Sequence, residues 1–304
     1  MSKQLQKRQV LLVGDNPFHG ISHLSQERNR VRGSESTLPE RAADLIITSF
    51  KNGANGFMFS VSETTLSILK GICGRRQNHP LELYAILPYA YEYVRLANQV
   101  GGIPGLAKMI IKRVVFSRNL RAFAKGLKGI ASTDPKSLIE SYLYYELSRI
   151  NSSIDRSVSL RSVLLHQLVT DIALALDMEW LFKLHIDLMS KKAIIPGFNT
   201  GNYVYLVEKL RKWNIDLAKL VIAAPFNKAG FQMMPNKAEC EQTLKDAKER
   251  NLIAISVLGA GYLDPLEAFA YLSTLPNLKG VAVGVSKDAH ARQTFRLLAK
   301  KLTY

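Results

Sequence analysis

Residues 252–285 read LIAISVLGAGYLDPLEAFAYLSTLPNLKGVAVGV, and this stretch decides the fold. Its first part, Leu252–Leu258, is a short uncharged run rich in β-branched residues, ended by the breakers Gly259 and Gly261. Asp264-Pro265 then offers a helix start, an acceptor side chain followed by a residue whose fixed φ suits the first turn. A segment of helical period leads to a second apolar run, Gly280–Val285. Neither run alternates polar with apolar residues, so both read as strands buried on two faces, as parallel strands covered by helices are.

Working outward, the same strand–helix unit recurs to both ends of the chain. The strand candidates are Gln9–Gly14, Gly56–Val61, Leu81–Leu87, Ser162–His166, Ala193–Gly197, Leu220–Ala224, Leu252–Leu258 and Gly280–Val285. Pro39 opens the first helix, Asp134-Pro135 caps the third, Pro235 opens the sixth and Asp264-Pro265 the seventh. Eight such units predict one α/β domain, a single (β/α)8 or TIM barrel over residues 1–304. An open doubly wound sheet is the alternative, but it wants a glycine-rich turn after the first strand, where Gly14-Asp15-Asn16-Pro17 stands instead.

The length of 304 residues suits a barrel of roughly 250 residues with something added. A hydrophobic fraction of 47% with 22% charged residues is globular and excludes a disordered chain. Cys73 and Cys240 stand far apart, which argues against a disulfide scaffold or a zinc knuckle and for a reducing compartment. No apolar stretch approaches the roughly 18 residues of a membrane span, and the start lacks a signal-peptide core, so a cytoplasmic protein is expected.

The net charge of +16 is unevenly placed. Residues 90–133 interrupt the alternation as a predicted helical insertion after the third strand. From Tyr93 to Thr133 there are Arg95, Lys108, Lys112, Arg113, Arg118, Arg121, Lys125 and Lys128 and no acidic residue. Arg118, Arg121, Lys125 and Lys128 share one helical face, and Phe116, Leu120, Phe123, Leu127 and Ile130 the other. Three readings stand: a lid over an anionic substrate, attachment to an anionic membrane surface, or a nucleic-acid or protein contact, nucleic acid being disfavoured because no aromatic-plus-basic motif accompanies the charge.

In such a barrel the residues just past each strand converge at one mouth. Those with chemistry are Asp15, Asn16, His19 and His23; Ser62 and Glu63; Tyr89; His166 and Gln167; Asn199 and Thr200; Asn227 and Lys228; Tyr262; Ser286 and Lys287. His166 is the first catalytic candidate, because an imidazole exchanges protons near neutrality. Glu63 is its expected acid–base partner if burial raises its pKa; otherwise it is a carboxylate at a helix start. Asp15, His19 and His23 form D-x3-H-x3-H, but Pro17 works against presenting both histidines helically, so no metal is expected and Asp15 and His19 join the catalytic candidates at the pocket. Gly259 and Gly261, with Ser286 and Lys287 leading into the last helix and Arg292 beyond, suit a phosphate held by backbone N–H groups.

The stretch from Arg161 to Leu302 resembles the C-terminal half of the aldo-keto reductases, nicotinamide-dependent barrel oxidoreductases. Leu164-Leu165-His166 is similar to the family strand that delivers its histidine. Ile253-Ala254-Ile255-Ser256-Val257-Leu258-Gly259 is similar to its I-A-Y-S-P-L-G segment, and Val281–Ser286 to the segment ending V-G-A-S-S, whose following helix holds the cofactor's adenosine phosphate. Gly53-Ala54-Asn55 matches a G-x-N before the second strand. The resemblance implies an oxidoreductase with NADP as cofactor. It also marks departures: the family's catalytic aspartate falls at Met58, its tyrosine near Glu63 and its lysine at Leu87-Pro88. The pair that grips the carboxamide falls at Gly197-Phe198, a glutamine at Ala223 and the stacking tyrosine at Ile255. The expected function is therefore a reductase-like barrel enzyme with an altered catalytic set, acting on a small anionic or phosphorylated substrate. The alternatives are a non-redox isomerase, lyase or hydrolase using His and Glu, and a membrane-peripheral binding protein.

Overall fold

All eight expected strands form, and they close on one another in chain order with every neighbour parallel. The computed structural model describes residues 9–20, 38–75, 81–89, 134–155 and 158–302. The strands are β1 (Val10–Gly14), β2 (Gly56–Ser60), β3 (Glu82–Leu87), β4 (Ser159–Leu165), β5 (Ile195–Asn199), β6 (Val221–Pro225), β7 (Leu252–Ile255) and β8 (Leu278–Gly284). Among the described residues the helices are α1 (Pro39–Phe50), α2 (Glu63–Arg75), α3 (Pro135–Asn151), α4 (Gln167–Ala175), α5 (Glu179–Ser190), α6 (Tyr203–Lys212), α7 (Lys237–Asp246), α8 (Pro265–Thr274) and α9 (Asp288–Leu302). The fold is an α/β (β/α)8 barrel, and none of these helices is long and apolar enough to cross a membrane. The basic insertion of residues 90–133, with Arg118, Arg121, Lys125 and Lys128, and His23 lie outside the described residues.

Strand alternation divides the core in two. Val10, Leu12, Met58, Tyr84, Leu164 and Ala223 fill the barrel, while Val13, Phe57, Phe59, Leu83 and Val163 face the helices. The helix starts follow the capping chemistry read from the sequence. The Asp134 carboxylate accepts from the Lys136 and Ser137 N–H groups, and that of Asp264 from Leu266 N–H at 2.8 Å. Pro235 does not open α7; Asn236 caps it by accepting from Glu239 N–H at 3.0 Å.

Most strand boundaries differ from expectation by one to three residues, and those of β4, β5 and β7 matter at the mouth. β4 begins at Ser159 and ends at Leu165, so His166 leaves the strand and becomes the residue that caps α4. β5 runs two residues further than expected, ending at Asn199. β7 stops at Ile255 because Ser256 turns to a φ of 53°, which an extended strand cannot contain.

A second histidine is wholly structural. His185 of α5 is fully buried, its Nε2 lies 3.0 Å from the Val163 carbonyl, and its ring meets Phe198 edge-on. Burial is the main cause that lowers its pKa to about 4. Since the unfolded chain's imidazole titrates near 6.5, it takes up a proton before the folded one does. This contribution to stability is therefore complete above about pH 6.5 and is lost as the pH falls toward 4. Urea midpoints for wild type and His185→Gln should converge between pH 7.5 and 4.5; a constant gap would show that His185 does not drive the acid sensitivity.

Candidate active site

The site grows from the turn after β1. Asp15 is 6% exposed, and its Oδ2 accepts from the Ser60 backbone N–H at 2.6 Å. The same oxygen lies 3.2 Å from His19 Nε2, presented by the short 3-10 turn Asn16–His19. Pro17, which excluded a helical pair of histidines, sits at the start of this turn, and the 4-residue spacing then brings His19 back over Asp15. A carboxylate can only accept here, so Nε2 carries the hydrogen and neutral His19 keeps its lone pair on Nδ1. The imidazole stacks on the Tyr89 ring with 4.7 Å between centroids.

His166 completes the group from the other side. Its backbone N–H donates to Leu87 O at 2.6 Å, extending the β3–β4 ladder one residue past the strand. Its Nδ1 accepts from Leu168 N–H at 3.1 Å, which makes the side chain the cap of α4 and leaves the hydrogen of the neutral ring on Nε2. Burial lowers the His166 pKa below the ordinary histidine value, and the negative charge of Asp15 opposes the shift. His166 is thus neutral at pH 7 and sits in the field of Asp15, so Asp15, His19 and His166 come together at the mouth.

Other expected site residues take different roles. Glu63 opens α2 with a carboxylate 81% exposed and ion-paired to Arg149 at 2.8 Å, so it lacks the burial its acid–base role required. Ser62 and Thr65 cap α2 reciprocally through their hydroxyls and N–H groups. Asn227 clamps its loop, accepting from Phe231 N–H and donating to Phe231 O, both at 2.8 Å, and Lys228 pairs with Glu267. At the turn of Gly259 and Gly261, the N–H groups of residues 259, 261, 262 and 263 bond to carbonyls of residues 256–259. These donors are taken up within the turn. Ser286 is half-buried, and Lys287 and Arg292 are exposed near the start of α9. There Asp288 is held by Arg41 of α1 and by Thr48.

Two features sharpen the expected mouth: the state of Asn199, one of the residues expected there, and Asp171, which was not. Asn199 continues the inward-facing series of β5 and is 8% exposed, and its Oδ1 has no hydrogen-bond partner among the described residues. A buried amide oxygen without a donor is costly, and at a barrel mouth it suits a ligand that brings an N–H or O–H. Behind it, Asp171 of α4 accepts from Thr200 Oγ1 and from Gly201 N–H at 3.0 Å, fixing the turn that carries Asn199. Burial raises the Asp171 pKa against these hydrogen bonds. Strand parity and an acidic residue one helical turn past His166 were the available signals. Among the described residues no group of three His, Cys, Asp or Glu side chains is placed to hold a metal ion.

No family model matches the chain, and no curated protein does. Solved structures do: two of a protein from Pseudomonas aeruginosa described as a "putative aldo-keto reductase" superpose with a TM-score of 0.52 at 14% identity, covering 87% of this chain and 84% of the other. At that identity the likeness establishes the barrel fold.

Proposed function

We propose that this chain is a divergent aldo-keto-reductase-like barrel enzyme that carries out histidine acid–base chemistry on a small anionic substrate. The observation that carries the reading is the buried Asp15 carboxylate, bonded to Ser60 N–H and His19 with His166 in its field. Two imidazoles at one mouth, one held through Nε2 and the other through Nδ1, suit proton transfer next to a carbonyl. His19, oriented by Asp15, offers Nδ1 as the base that removes a proton from the carbon beside the carbonyl. His166 offers Nε2–H to the carbonyl oxygen as negative charge gathers there, giving the enol. Asn199 Oδ1 accepts a donor on the substrate and fixes its orientation. Exposed Lys287 and Arg292 supply positive charge for an anionic group, in keeping with the net charge of +16.

NADP is the cofactor that the barrel family implies, and the residues present fit it at one end only. Lys287, Arg292 and the first turn of α9, with Asp288 held by Arg41, suit a phosphate. The nicotinamide end does not fit. Gly197, Ala223 and Ile255 offer neither polar side chains for a carboxamide nor an aromatic face, and Phe198 is buried among the helices with Phe182. The chemistry assigned to this chain is therefore proton transfer, with no step through hydride.

Small keto acids and phosphorylated ketones, incubated with the protein in D2O and followed by NMR, test the reading. Exchange of the hydrogen next to the carbonyl without added cofactor is the expected result. Consumption of ketone only with NADPH, together with saturable NADPH fluorescence, would replace it with a reductase.

A further inference from the structure

The end of the barrel opposite the mouth carries two irregularities of register. Between β3 and β4 the pairing passes from Leu83 with Leu160 to Tyr84 with Ser162, which leaves Arg161 as the extra residue of a bulge. Between β7 and β8 it passes from Leu252 with Leu278 to Ile253 with Gly280, which leaves Lys279. A bulge re-aims the side chain it carries, and both of these re-aim a cation.

The two cations act on each other. Arg161 and Lys279 lie within each other's electrostatic field, and Arg250, whose Nε donates to Leu278 O at 2.7 Å, acts on Lys279 as well. Glu82 is the carboxylate that faces Lys279, and it also accepts from the Tyr84 hydroxyl at 3.1 Å. Among the described residues that act on Lys279, three cations, Lys279 included, therefore share one carboxylate. Burial and the two arginines lower the Lys279 pKa, the mark of an ammonium without adequate countercharge. No hydrogen bond or ion pair reaches its Nζ from the described residues.

Lys279 also lines a cavity of about 280 Å³ at this end, between the starts of β5 and β6. The other walls are mainly apolar, with Ile194, Ile195, Pro196 and Leu220 among them. Lys219 at the rim is paired with Asp216 at 3.2 Å. In this fold the N-terminal end ordinarily serves stability, and clustered like charges beside a cavity do not serve it.

We propose that this end of the barrel is a second binding site, for a small amphipathic anion: a phosphate monoester or carboxylate whose charge sits on Lys279 and Arg161 and whose short alkyl body lies on Ile194, Ile195 and Leu220. The cavity lies at the small end of ligand sites, which favours a body of only a few carbons.

Isothermal titration of the full chain with hexyl phosphate, hexanoate and hexanol tests it. Saturable 1:1 binding of at least one anion and none of hexanol is expected; comparing the two anions tells which headgroup is preferred. Lys279→Met, which keeps the alkyl stem, should weaken binding by about tenfold or more. Lys70→Met, at an exposed lysine of α2 outside both sites, should leave it unchanged. Arg161→Gln gives the same readout should Lys279→Met fail to fold. Absence of saturable binding for both anions, equal affinity in wild type and the Lys279 or Arg161 variant, or loss of binding in Lys70→Met would each overturn the second site.

Discussion

Gly280→Ala is expected to lower stability by about 3 kcal/mol or more, because the added carbon has nowhere to go. A Cβ at Gly280 would stand 2.2 Å from the Val10 carbonyl oxygen, 2.7 Å from Val10 Cβ and 2.9 Å from the Val10 carbonyl carbon. Two of these are backbone atoms, so no rotamer change relieves the clash. Val10 and Gly280 are direct partners in the β1–β8 pair, the pair that closes the barrel. Opening it displaces the start of β1. Gly74→Ala is the matching control: the added carbon meets nothing within 4 Å on the last turn of α2, and alanine there should stabilise by about 0.5–1 kcal/mol. Urea midpoints of the two variants should move in opposite directions, and an unchanged midpoint for Gly280→Ala would contradict the tight β1–β8 contact.

The second large effect is on catalysis. His166→Asn keeps a side-chain oxygen able to accept from Leu168 N–H, so α4 stays capped and the fold is retained. The acid is lost, and exchange next to the substrate carbonyl should fall by about 10²–10⁴-fold. His166→Ala should lose the same activity and, in addition, about 1 kcal/mol of stability with the cap. Activity equal to wild type in His166→Asn would remove the histidine from the mechanism. Asp15→Asn gives a spectroscopic check: the Asp15 charge holds the His166 pKa up against burial, so its removal should move the NMR titration of His166 to still lower pH.

The unequal success of the sequence reading has a physical basis. The fold was legible because eight parallel strands, each covered on both faces, leave eight apolar runs separated by helices, and the turn after the first lacks the glycines of an open dinucleotide-binding sheet. Strand starts and ends were less so, since bulges at Arg161 and Lys279 add a residue without changing the apolar pattern. Strand ends set which residue reaches the mouth. The two-residue shift of β5 makes Asn199, expected in the loop past the strand, its last residue, and the end of β4 at Leu165 makes His166 a helix cap as well as a site residue.

Charge and burial were the least legible. Glu63 and Asp15 are both acidic residues just past a strand, and sequence gives them equal standing. In the folded chain Arg149 holds Glu63 at the surface, while Ser60 and His19 enclose Asp15. The partners lie 86 and 45 residues away for Arg149 and Ser60, so only the tertiary structure could choose between them. The amino-acid sequence alone determined the barrel, its eight strands and the caps at Asp134 and Asp264, because these depend on periodicity and on contacts within a few residues. The tertiary structure decided which polar groups are buried, which nitrogen of His19 and of His166 is held by a neighbour, and that two bulges each carry a cation at the far end, because desolvation and charge balance are properties of neighbours brought together from distant parts of the chain.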